Sequence, residues 1–455
     1  MPSYEKRKII VKGKTKEVWA TDKAEDVVIL ENQANITAND DPNVTRQFEA
    51  KAIAATSTTC RVFELLQAAG IPVAYIEQTS PTAFASPCCT MWPFEAVGRR
   101  YAVGSYLKRN PQMVETNPPY RFPRLVTELF LKTTKGHCLL SDGMDHDLGL
   151  DPALGQEDPL LRIGNGEWLL YHAKKPLWDA DAQLGSLDPA LLRYSTEVVD
   201  DLLRQTFMVL EGAWATLGWR LVDIKIEVGN TADGRVVVAD VIDNDSWRLR
   251  DSAWQEMSKQ VYRDQLASDS VDLDDVAWRY QKVANLTTQF RLPRQCIMLW
   301  LGSVNDEEAV MKALEKAVMM PAGVDLKLIA KSGHRETQSV LDAMPIIESE
   351  YPDGGVIVAC VGLSNGLGPI DSAHTHWPVI NLPLTPEDWM SSARLPGSVP
   401  ATTVLRIENA IQQGLQVHAQ KNPAAYALVR KLAEADSGLR PGTTFGDIAK
   451  DVIRE

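Results

Sequence analysis

The segment at 221–240 constrains the fold more than any other part of the chain, because its pattern is that of two β-strands joined by a short turn. In the first half, apolar and charged residues alternate. Successive side chains of a strand point to opposite faces, so Asp223, Lys225 and Glu227 share one face and the apolar residues between them share the other. The turn residues at 229–234 and a following run of valines complete an antiparallel hairpin. The sequence therefore predicts a sheet with one packed face and one charged face.

The hairpin leads directly into a decapeptide at 240–249 that contains several residues able to bind metal or phosphate. It carries three carboxylates, a serine and an arginine: Asp240, Asp243, Asp245, Ser246 and Arg248. Carboxylates suit Mg²⁺ and a guanidinium suits phosphate, so a strand end that delivers both is typical of a site that handles the two together. We expect Val228 to pair with Arg235. That register places Asp240 opposite Asp223, and a slip of one residue would reverse it.

Composition and charge exclude several classes of protein. The chain has 455 residues, enough for two or three domains, and its hydrophobic (45%) and charged (24%) fractions are ordinary for a soluble globular protein. A net charge of −13 argues against a general nucleic-acid binder, which normally needs a basic surface. The sequence contains no apolar stretch of roughly 18 residues, so no membrane span is predicted. The first residues lack the apolar core of a secretory signal. Six cysteines without a CxxC pair or a disulfide framework favour a reducing, cytoplasmic location.

Two regions of the sequence differ in the order in which strands and helices are expected. Residues 1–265 mix strands and long helices, which predicts an α+β domain; the expected strands lie at 9–11, 17–19, 27–30, 73–77, 96–106 and 125–131, and the long helices at 46–69 and 189–217. The Asp- and Gly-rich stretch at 133–166 predicts a loop or insertion. Residues 266–292 form a linker with a helix. Residues 293–455 alternate strand and helix, which predicts a three-layer α/β domain with a parallel sheet covered on both faces.

Four basic residues of the first region could bind phosphates. Lys14 and Lys16 lie beside a glycine turn between short strands. The GxxxxGK[ST] spacing of a Walker A loop is absent, and a solvated basic turn remains the alternative. Arg99 ends a strand that is followed by a Gly-Ser turn at Ser105; a surface arginine pair is the alternative there. Lys132 closes the next strand, where an exposed lysine is common.

Together these signals resemble one family in order and spacing, the SAICAR synthetases, and most closely their animal forms, which are fused to a second enzyme. Seven blocks carry the resemblance, at 13–18, 36–39, 99–105 with 107–111, 128–132, 221–229, 239–249 and 259–263. The resemblance implies an ATP-grasp-like α+β domain. It also implies the reaction ATP + CAIR + L-aspartate → SAICAR + ADP + phosphate, through a carboxylate activated as an acyl phosphate.

The resemblance also implies roles for individual residues. The nucleotide phosphates would be bound by Lys14, Lys16 and Lys132, and Mg²⁺ by Glu227 and Asp240. The CAIR and aspartate contacts would come from Arg99, Ser105, Arg248, Lys259 and Arg263, with Asp223 and Lys225 beside the reacting carboxylate. The family carries an Asp-Pro segment soon after the position of Lys132. In this chain 142–147, Asp151 and Asp158 compete for that role, which stays open.

Three short loops in the second region share one pattern. Gly302-Ser-Val-Asn-Asp306, Ser332-Gly-His-Arg335 and Gly362-Leu-Ser-Asn-Gly366 each follow an expected strand. Loops at the carboxyl ends of parallel strands meet in one crevice, so the three predict a shared anion-binding site. An ordinary helix N-cap is the alternative for each loop taken alone.

The region from 296 to about 405 resembles class II AIR carboxylase, which converts AIR and CO₂ to CAIR without ATP. By that resemblance Ser303 and Asp306 would contact the nucleotide, and His334 would shuttle a proton. The carboxylase site would also contain Gly302, Ser332, Arg335, Gly362, Ser364, Asn365 and Gly366. The family's Gly-Arg-Ser-Asn is Gly362-Leu-Ser-Asn365 here, which removes a cation from beside a carboxylate.

Three functions fit this pattern. The first is a bifunctional enzyme of de novo purine synthesis, with ATP and Mg²⁺ as cofactors and small molecules (CAIR, L-aspartate, AIR and CO₂) as substrates. The second is a synthetase whose C-terminal domain only supports oligomerisation; the family assembles through it as a homo-octamer. The third is a specialised ligase that acts on another phosphoribosylated carboxylate. No nucleic-acid or membrane partner is expected.

Overall fold

The chain forms two compact units, each described here by itself. The computed structural model describes residues 4–13, 15–22, 26–36, 46–47, 49–164, 166–268, 270–314, 320–362, 364–385, 387 and 389–435. The first unit comprises Met1–Phe290 together with the chain from Glu434 onward, and the second comprises Arg291–Ala433. Within the described residues, no helix has the length and apolar content needed to cross a membrane.

The first unit mixes antiparallel strands with helices. Its described strands are β1 (Lys6–Lys12), β2 (Lys16–Thr21), β3 (Val27–Asn32), β4 (Asn35–Ile36), β5 (Arg46–Gln47), β6 (Glu77–Ser80), β7 (Ala83–Pro87), β8 (Cys89–Met91), β9 (Phe94–Tyr101), β10 (Arg121–Leu131), β11 (His137–Leu139), β12 (Asp145–Asp147), β13 (Leu160–Gly164), β14 (Glu167–Tyr171), β15 (Gln183–Leu187), β16 (Arg220–Thr231), β17 (Val236–Ala239) and β18 (Trp247–Arg250). Its described helices are α1 (Glu49–Ala68), α2 (Ser105–Arg109), α3 (Thr196–Thr216), α4 (Gln260–Ala267) and α5 (Leu273–Thr287).

Strand β16 pairs with four other strands of the larger sheet of this unit. That sheet follows the order β15-β14-β13-β10-β9-β16-β17, and β18 and β8 also pair with β16. The residues Val222, Ile224, Ile226 and Val228 are each at most 1% exposed. The apolar face predicted from the alternation is therefore confirmed, and the charged residues of β16 are turned to the opposite face.

The predicted register of the β16–β17 hairpin is wrong. Glu227 pairs with Ala239 and Val228 with Val238, so Asp240 does not lie opposite Asp223. The strand continues through Thr231, and a tight turn closes where the Gly234 amide donates to the Thr231 carbonyl. Because the turn is shorter than we expected, the return strand shifts along its partner. The residues opposite Asp223 come from other strands instead.

Four element boundaries differ from the sequence expectation. The strand expected at 96–106 ends at Tyr101, because Gly104 adopts a φ of +59° and Ser105 begins α2. The helix expected from 189 begins only at Thr196, capped by the Ser195 hydroxyl, since 189–191 forms a short 3₁₀ turn. The region 133–166 is not a plain loop, because it contains β11, β12 and β13. At 73–77 only Glu77 belongs to a strand.

The second unit is a parallel α/β structure. Its described strands are β19 (Gln295–Leu301), β20 (Val324–Ala330), β21 (Gly355–Val361), β22 (Val379–Pro383) and β23 (Thr402–Thr403). Its described helices are α6 (Glu307–Leu314), α7 (Thr337–Glu350), α8 (Leu367–His374), α9 (Trp389–Ala393), α10 (Ile407–His418) and α11 (Pro423–Ala435), the last of which ends beyond the unit's boundary. All strands are parallel in the order β20-β19-β21-β22-β23.

The parallel sheet is buried on both faces. Ile297, Leu299 and Leu301 pack on one side with residues of α6 and α10. Met298 and Trp300 pack on the other side with residues of α7 and α8. This arrangement confirms the predicted three-layer α/β domain. The strand order reverses at β19, so the crevice between the ends of β19 and β21 is the position where such sheets bind ligands.

Candidate active site

An open cavity of about 880 Å³ lies in the first unit and brings together half of the predicted synthetase residues. Its wall contains Arg99, Ser105, Asp223, Lys225, Arg248 and Arg263. The strands β9, β16 and β18 supply four of these side chains, so a rigid sheet fixes their positions. Lys14 lies outside the described residues.

Asp223 is held between two arginines by the sheet register. It pairs with Arg99 of β9 on one side and with Arg248 of β18 on the other. The Arg99 Nη1 atom donates to Asp223 Oδ2 over 2.6 Å, and the Arg248 guanidinium donates to the same oxygen. Asp223 and Arg99 are almost fully buried. The Arg248 side chain is 21% exposed, so it is the member of this group that can meet a ligand in the cavity.

A second cluster continues along the charged face of β16. The Lys225 Nζ atom lies 2.9 Å from Glu227 and 3.0 Å from Glu95, and the Lys132 Nζ atom lies 2.6 Å from Glu227. Burial alone would lower the pKa of Lys225, but the carboxylates of Glu95, Glu227 and Asp240 outweigh it and raise that pKa. Burial likewise opposes ionisation of Glu227, yet Lys225 and Lys132 lower its pKa to about 2. Lys225 and Glu227 are therefore both charged at neutral pH.

The predicted metal ligands fit a metal–nucleotide pair better than a protein metal cage. Glu227 is ionised, and Asp240, which follows β17, forms an ion pair with Lys16 of β2. No cluster of three or more His, Cys, Asp or Glu side chains able to hold a metal occurs among the described residues. Mg²⁺ commonly binds through one or two carboxylates plus substrate phosphates, and lysines flank both carboxylates here.

Asp245 anchors a third cluster at the cavity wall. Its carboxylate receives Lys51 Nζ at 2.9 Å, Lys259 Nζ at 3.0 Å and the Tyr280 hydroxyl at 2.5 Å. Burial opposes its ionisation, but the two lysines outweigh burial and lower the pKa of Asp245. Burial and the nearby Asp245 raise the pKa of Asp243 to about 6. Lys259, predicted to meet a substrate anion, is therefore already paired with a carboxylate of the cavity.

The structure separates the competing Asp segments. Asp158 lines the cavity, whereas 142–147 forms part of the β11–β12 hairpin and does not. The Asp158 Oδ1 atom accepts the Thr133 amide at 2.8 Å, and burial, with Glu95 and Glu157 nearby, raises the pKa of Asp158.

The cavity contains charged residues that the sequence reasoning missed. They are Glu95, Lys108, Glu157, Lys174 and Asp264. Glu95 and Arg99 stand four residues apart on one strand and so share a face, which was a usable signal for Glu95. The other four lie outside strands, where no periodicity marks them.

The three predicted loops of the second unit contact one another. The Ser364 hydroxyl lies 3.4 Å from His334 Nε2, and a Cβ atom on Gly366 would lie 2.5 Å from that same nitrogen. A Cβ atom on Gly362 would lie 3.2 Å from Asp306 Oδ1. The loops after β19, β20 and β21 therefore converge as predicted.

Several loop residues also bind the backbone of the turn that follows them. The Ser303 and Ser332 hydroxyls accept the amides of Asn305 and Arg335. Asn365 Oδ1 accepts the Gly368 amide at 2.8 Å. Arg335 is exposed and Gly302 follows the end of β19, whereas residue 363 lies outside the described residues. The capping alternative holds for Ser303, the N-cap of a short 3₁₀ helix, whereas the N-caps of α7 and α8 are Glu336 and Gly366.

Comparison with known proteins agrees with both units. The SAICAR synthetase family model matches residues 9–142 and 180–279, and the AIR carboxylase model matches 296–437. The chain is 32% identical to the probable multifunctional protein ADE2 of Caenorhabditis elegans, over 93% of each chain. It is also 32% identical to the Homo sapiens bifunctional phosphoribosylaminoimidazole carboxylase/phosphoribosylaminoimidazole succinocarboxamide synthetase, over 95% of this chain and 97% of that protein.

Among solved structures, a SAICAR synthetase (Type-2) in complex with ADP covers 62% of this chain and 97% of its own, with 22% identity and a TM-score of 0.46. The two family models follow one another along the chain, and relatives matched over nearly their whole length share both. The chain therefore belongs to the family of proteins in which a SAICAR synthetase domain is fused to an AIR carboxylase domain.

Proposed function

We propose that this chain is a bifunctional enzyme of de novo purine synthesis. Its 1–265 domain ligates L-aspartate to CAIR with ATP, giving SAICAR, ADP and phosphate. Its 293–455 domain carboxylates AIR to CAIR without ATP. The observation that carries the ligase is the cavity wall, where Asp223 binds Arg248 and Lys225 lies on the same face of β16. Lys225 also binds the carboxylate of Glu227, which is not part of the wall.

The ligase needs two kinds of contact: the cavity wall supplies the first, and a group of residues joined to it through Lys225 and Glu227 supplies the second. Arg248 and Ser105 present a cation and a hydroxyl for a phosphate monoester, with Arg99 behind them. Lys16 and Lys132 lie beside Asp240 and Glu227, where nucleotide phosphates would be neutralised. Glu227 and Asp240 would hold Mg²⁺, which draws charge from the transferring phosphoryl group.

The chemistry would proceed in two steps. A carboxylate oxygen of CAIR attacks the terminal phosphorus of ATP, and ADP leaves. The aspartate amine then attacks the acyl carbon, loses its proton, and phosphate leaves. Lys225 would stabilise the charge that develops on the reacting carboxylate. Arg263 in the cavity wall, with Lys259 bound to Asp245, would meet the aspartate carboxylates.

The carboxylase step would depend on His334. Carboxylation replaces the proton on the reacting carbon of AIR with CO₂, and imidazoles exchange protons near neutral pH. His334 is packed against Gly366 and Ser364, and Ser303 and Asp306 complete the crevice. We further propose a cytoplasmic enzyme that assembles as a homo-octamer through this domain.

One observation favours a second function. The loop Gly362-Leu-Ser-Asn365 carries leucine where the carboxylase family carries arginine, which fits a domain that only supports assembly. Incubation with AIR and bicarbonate without ATP separates the two. We expect CAIR to form; its absence, with the ligase intact, would leave the assembly role.

The ligase is tested by substrate profiling. We expect ATP-dependent SAICAR formation from CAIR and L-aspartate. Turnover only with another phosphoribosylated carboxylate or another amine would instead show a specialised ligase with the same phosphate contacts.

A further inference from the structure

A chain of alternating charges runs through the sheet behind the cavity of the first unit. Glu128 Oε2 accepts Arg99 Nε at 2.7 Å, and Glu128 Oε1 accepts the Arg109 guanidinium. Arg99 in turn donates to Asp223, which also binds Arg248. The order is therefore Arg109, Glu128, Arg99, Asp223 and Arg248, with cations and anions in strict alternation.

Arg109 and Glu128, the two members of this charge network farthest from Arg248, are buried and do not line the cavity. Glu128 is 6% exposed and Arg109 is 3% exposed. Neither forms part of the cavity wall, whereas Arg99, Asp223 and Arg248 do. Glu128 therefore acts on a bound substrate only through the two arginines that it binds, Arg99 and Arg109.

Arg109 ties the network to a second part of the wall. Its guanidinium donates to the Ala173 carbonyl and lies 5.6 Å from the centre of the Phe130 ring. Ala173 and Phe130 both line the cavity. One buried cation thus joins the far wall of the cavity to Glu128.

Glu128 is held in its ionised form. Burial alone would raise the pKa of Glu128, but Arg109 and Arg99 outweigh burial and lower it. Buried ion pairs contribute little net stability, because desolvation offsets their attraction. A buried charge chain that ends in a cavity is thus better explained by the geometry it imposes than by the stability it adds.

The network of buried charges fixes the orientation of the Arg99 guanidinium. Glu128 occupies Arg99 Nε and so fixes the plane of the guanidinium, which leaves Nη1 for Asp223 and Nη2 for the Ser105 hydroxyl at 3.1 Å. Without Glu128, the guanidinium can turn to bind Asp223 through two nitrogens. That change would compete with Arg248 for the same carboxylate.

We propose that Glu128, clamped by Arg109, is a positioning residue for the ligase: it orients Arg99 so that Asp223 and Arg248 face the phosphoribosyl substrate in one arrangement. The inference rests on the proposed ligase function.

The test is Glu128→Gln in the full-length protein, with Glu211→Gln as the matched control. Glu211 binds Arg100, the neighbour of Arg99 on β9, through two hydrogen bonds of 2.8 and 3.0 Å. It is as buried as Glu128 but lies outside the cavity wall. Both variants lose one buried carboxylate, so both are expected to be less stable.

The kinetic constants distinguish position from stability. A displacement of about 1 Å at a reacting group can cost about 100-fold in rate, so we expect Glu128→Gln to lower kcat/KM for CAIR by at least about 10-fold. The KM for ATP should stay within about twofold, because the nucleotide contacts lie around Lys16 and Lys132. Glu211→Gln should leave both constants within about twofold of the wild type at a temperature where it is folded.

Each alternative result has a distinct meaning. If both variants lose activity only in proportion to their loss of folded protein, Glu128 has a structural role and the proposal is wrong. If Glu128→Gln does not fold, Arg109→Lys applies the same test, and an unchanged kcat/KM for CAIR would overturn the proposal. Absence of ligation in the wild type would instead overturn the proposed function.

Discussion

Asp223 shows at the scale of a single residue how the sheet builds the site. Its neighbours on β9 and β18 are both arginines, so register alone places a cation on each side of one buried carboxylate. Replacement by Asn would leave two guanidiniums without their shared anion and free Arg248 to move. We expect Asp223→Asn to lower ligase kcat/KM by about 100-fold or more.

The same hairpin supplies a control for this prediction. Asp233 pairs with Arg235 at its exposed tip, 2.7 Å apart. Solvent screens an exposed ion pair of this kind, so Asp233→Asn should leave the kinetics within about twofold. Equal losses in the two variants, measured by steady-state assay, would contradict a specific role for Asp223.

Gly366 gives a second prediction at the residue scale, for the carboxylase crevice. A Cβ atom there would lie 2.5 Å from His334 Nε2 and 2.6 Å from its Cε1, so Gly366→Ala forces the imidazole to move. We expect carboxylation of AIR to fall by about 10-fold or more, since about 1 Å of misplacement is costly. Ligation by the same preparation serves as the internal control. A normal carboxylation rate would show that the position of His334 is not critical.

Individual residues also show where sequence reasoning stops. Glu95 was recoverable from the strand period, because it shares a face with Arg99. Glu128 lay in a recognised block, but its link to Arg109 and Arg99 depends on how β9 and β10 pair and on where α2 begins. Such pairings join residues distant in sequence, so no local pattern reports them.

Helix α8 carries a buried carboxyl group that gives a prediction at the scale of an element. Asp371 is fully buried, and neither carboxylate oxygen has a hydrogen-bond partner among the described residues. Burial raises the pKa of Asp371 to about 8. The unfolded carboxyl loses its proton near pH 4, so between about pH 4 and pH 8 only the folded state keeps it. The free energy of unfolding therefore falls as pH rises through this window.

Replacement by Asn removes that pH dependence. We expect the stability of Asp371→Asn, relative to the wild type, to rise by several kcal/mol from pH 4 to pH 8, at about 1.4 kcal/mol per pKa unit. The difference should be constant above about pH 8. Denaturant unfolding of both proteins across this range measures it. Parallel pH profiles would show that Asp371 is solvated or paired in solution.

Elements were predictable in type but not in register or boundary. The faces of β16 followed from its own alternation, which is a local property. The register of the hairpin depended on the length of its turn, and the start of α3 depended on Ser195 and on the short turn before it. These features are set by backbone geometry that the apolar pattern does not encode.

The whole molecule joins two chemistries that use separate residues. The ligase cavity is built by strands of the first unit, and the carboxylase crevice by loops of the parallel sheet. The change of rhythm along the sequence predicted both fold classes, because periodicity is retained over many residues. It follows that damage to one site should leave the chemistry of the other intact.

The most direct test supplies AIR, bicarbonate, ATP and L-aspartate to the full chain and to two variants, and identifies the products. We predict that the wild type forms SAICAR and that Asp223→Asn stops at CAIR. His334→Asn should form no product from AIR, yet form SAICAR when CAIR is supplied. SAICAR formation from CAIR by Asp223→Asn at the wild-type rate, or its absence with the wild type, would contradict the assignment of the ligase to this cavity.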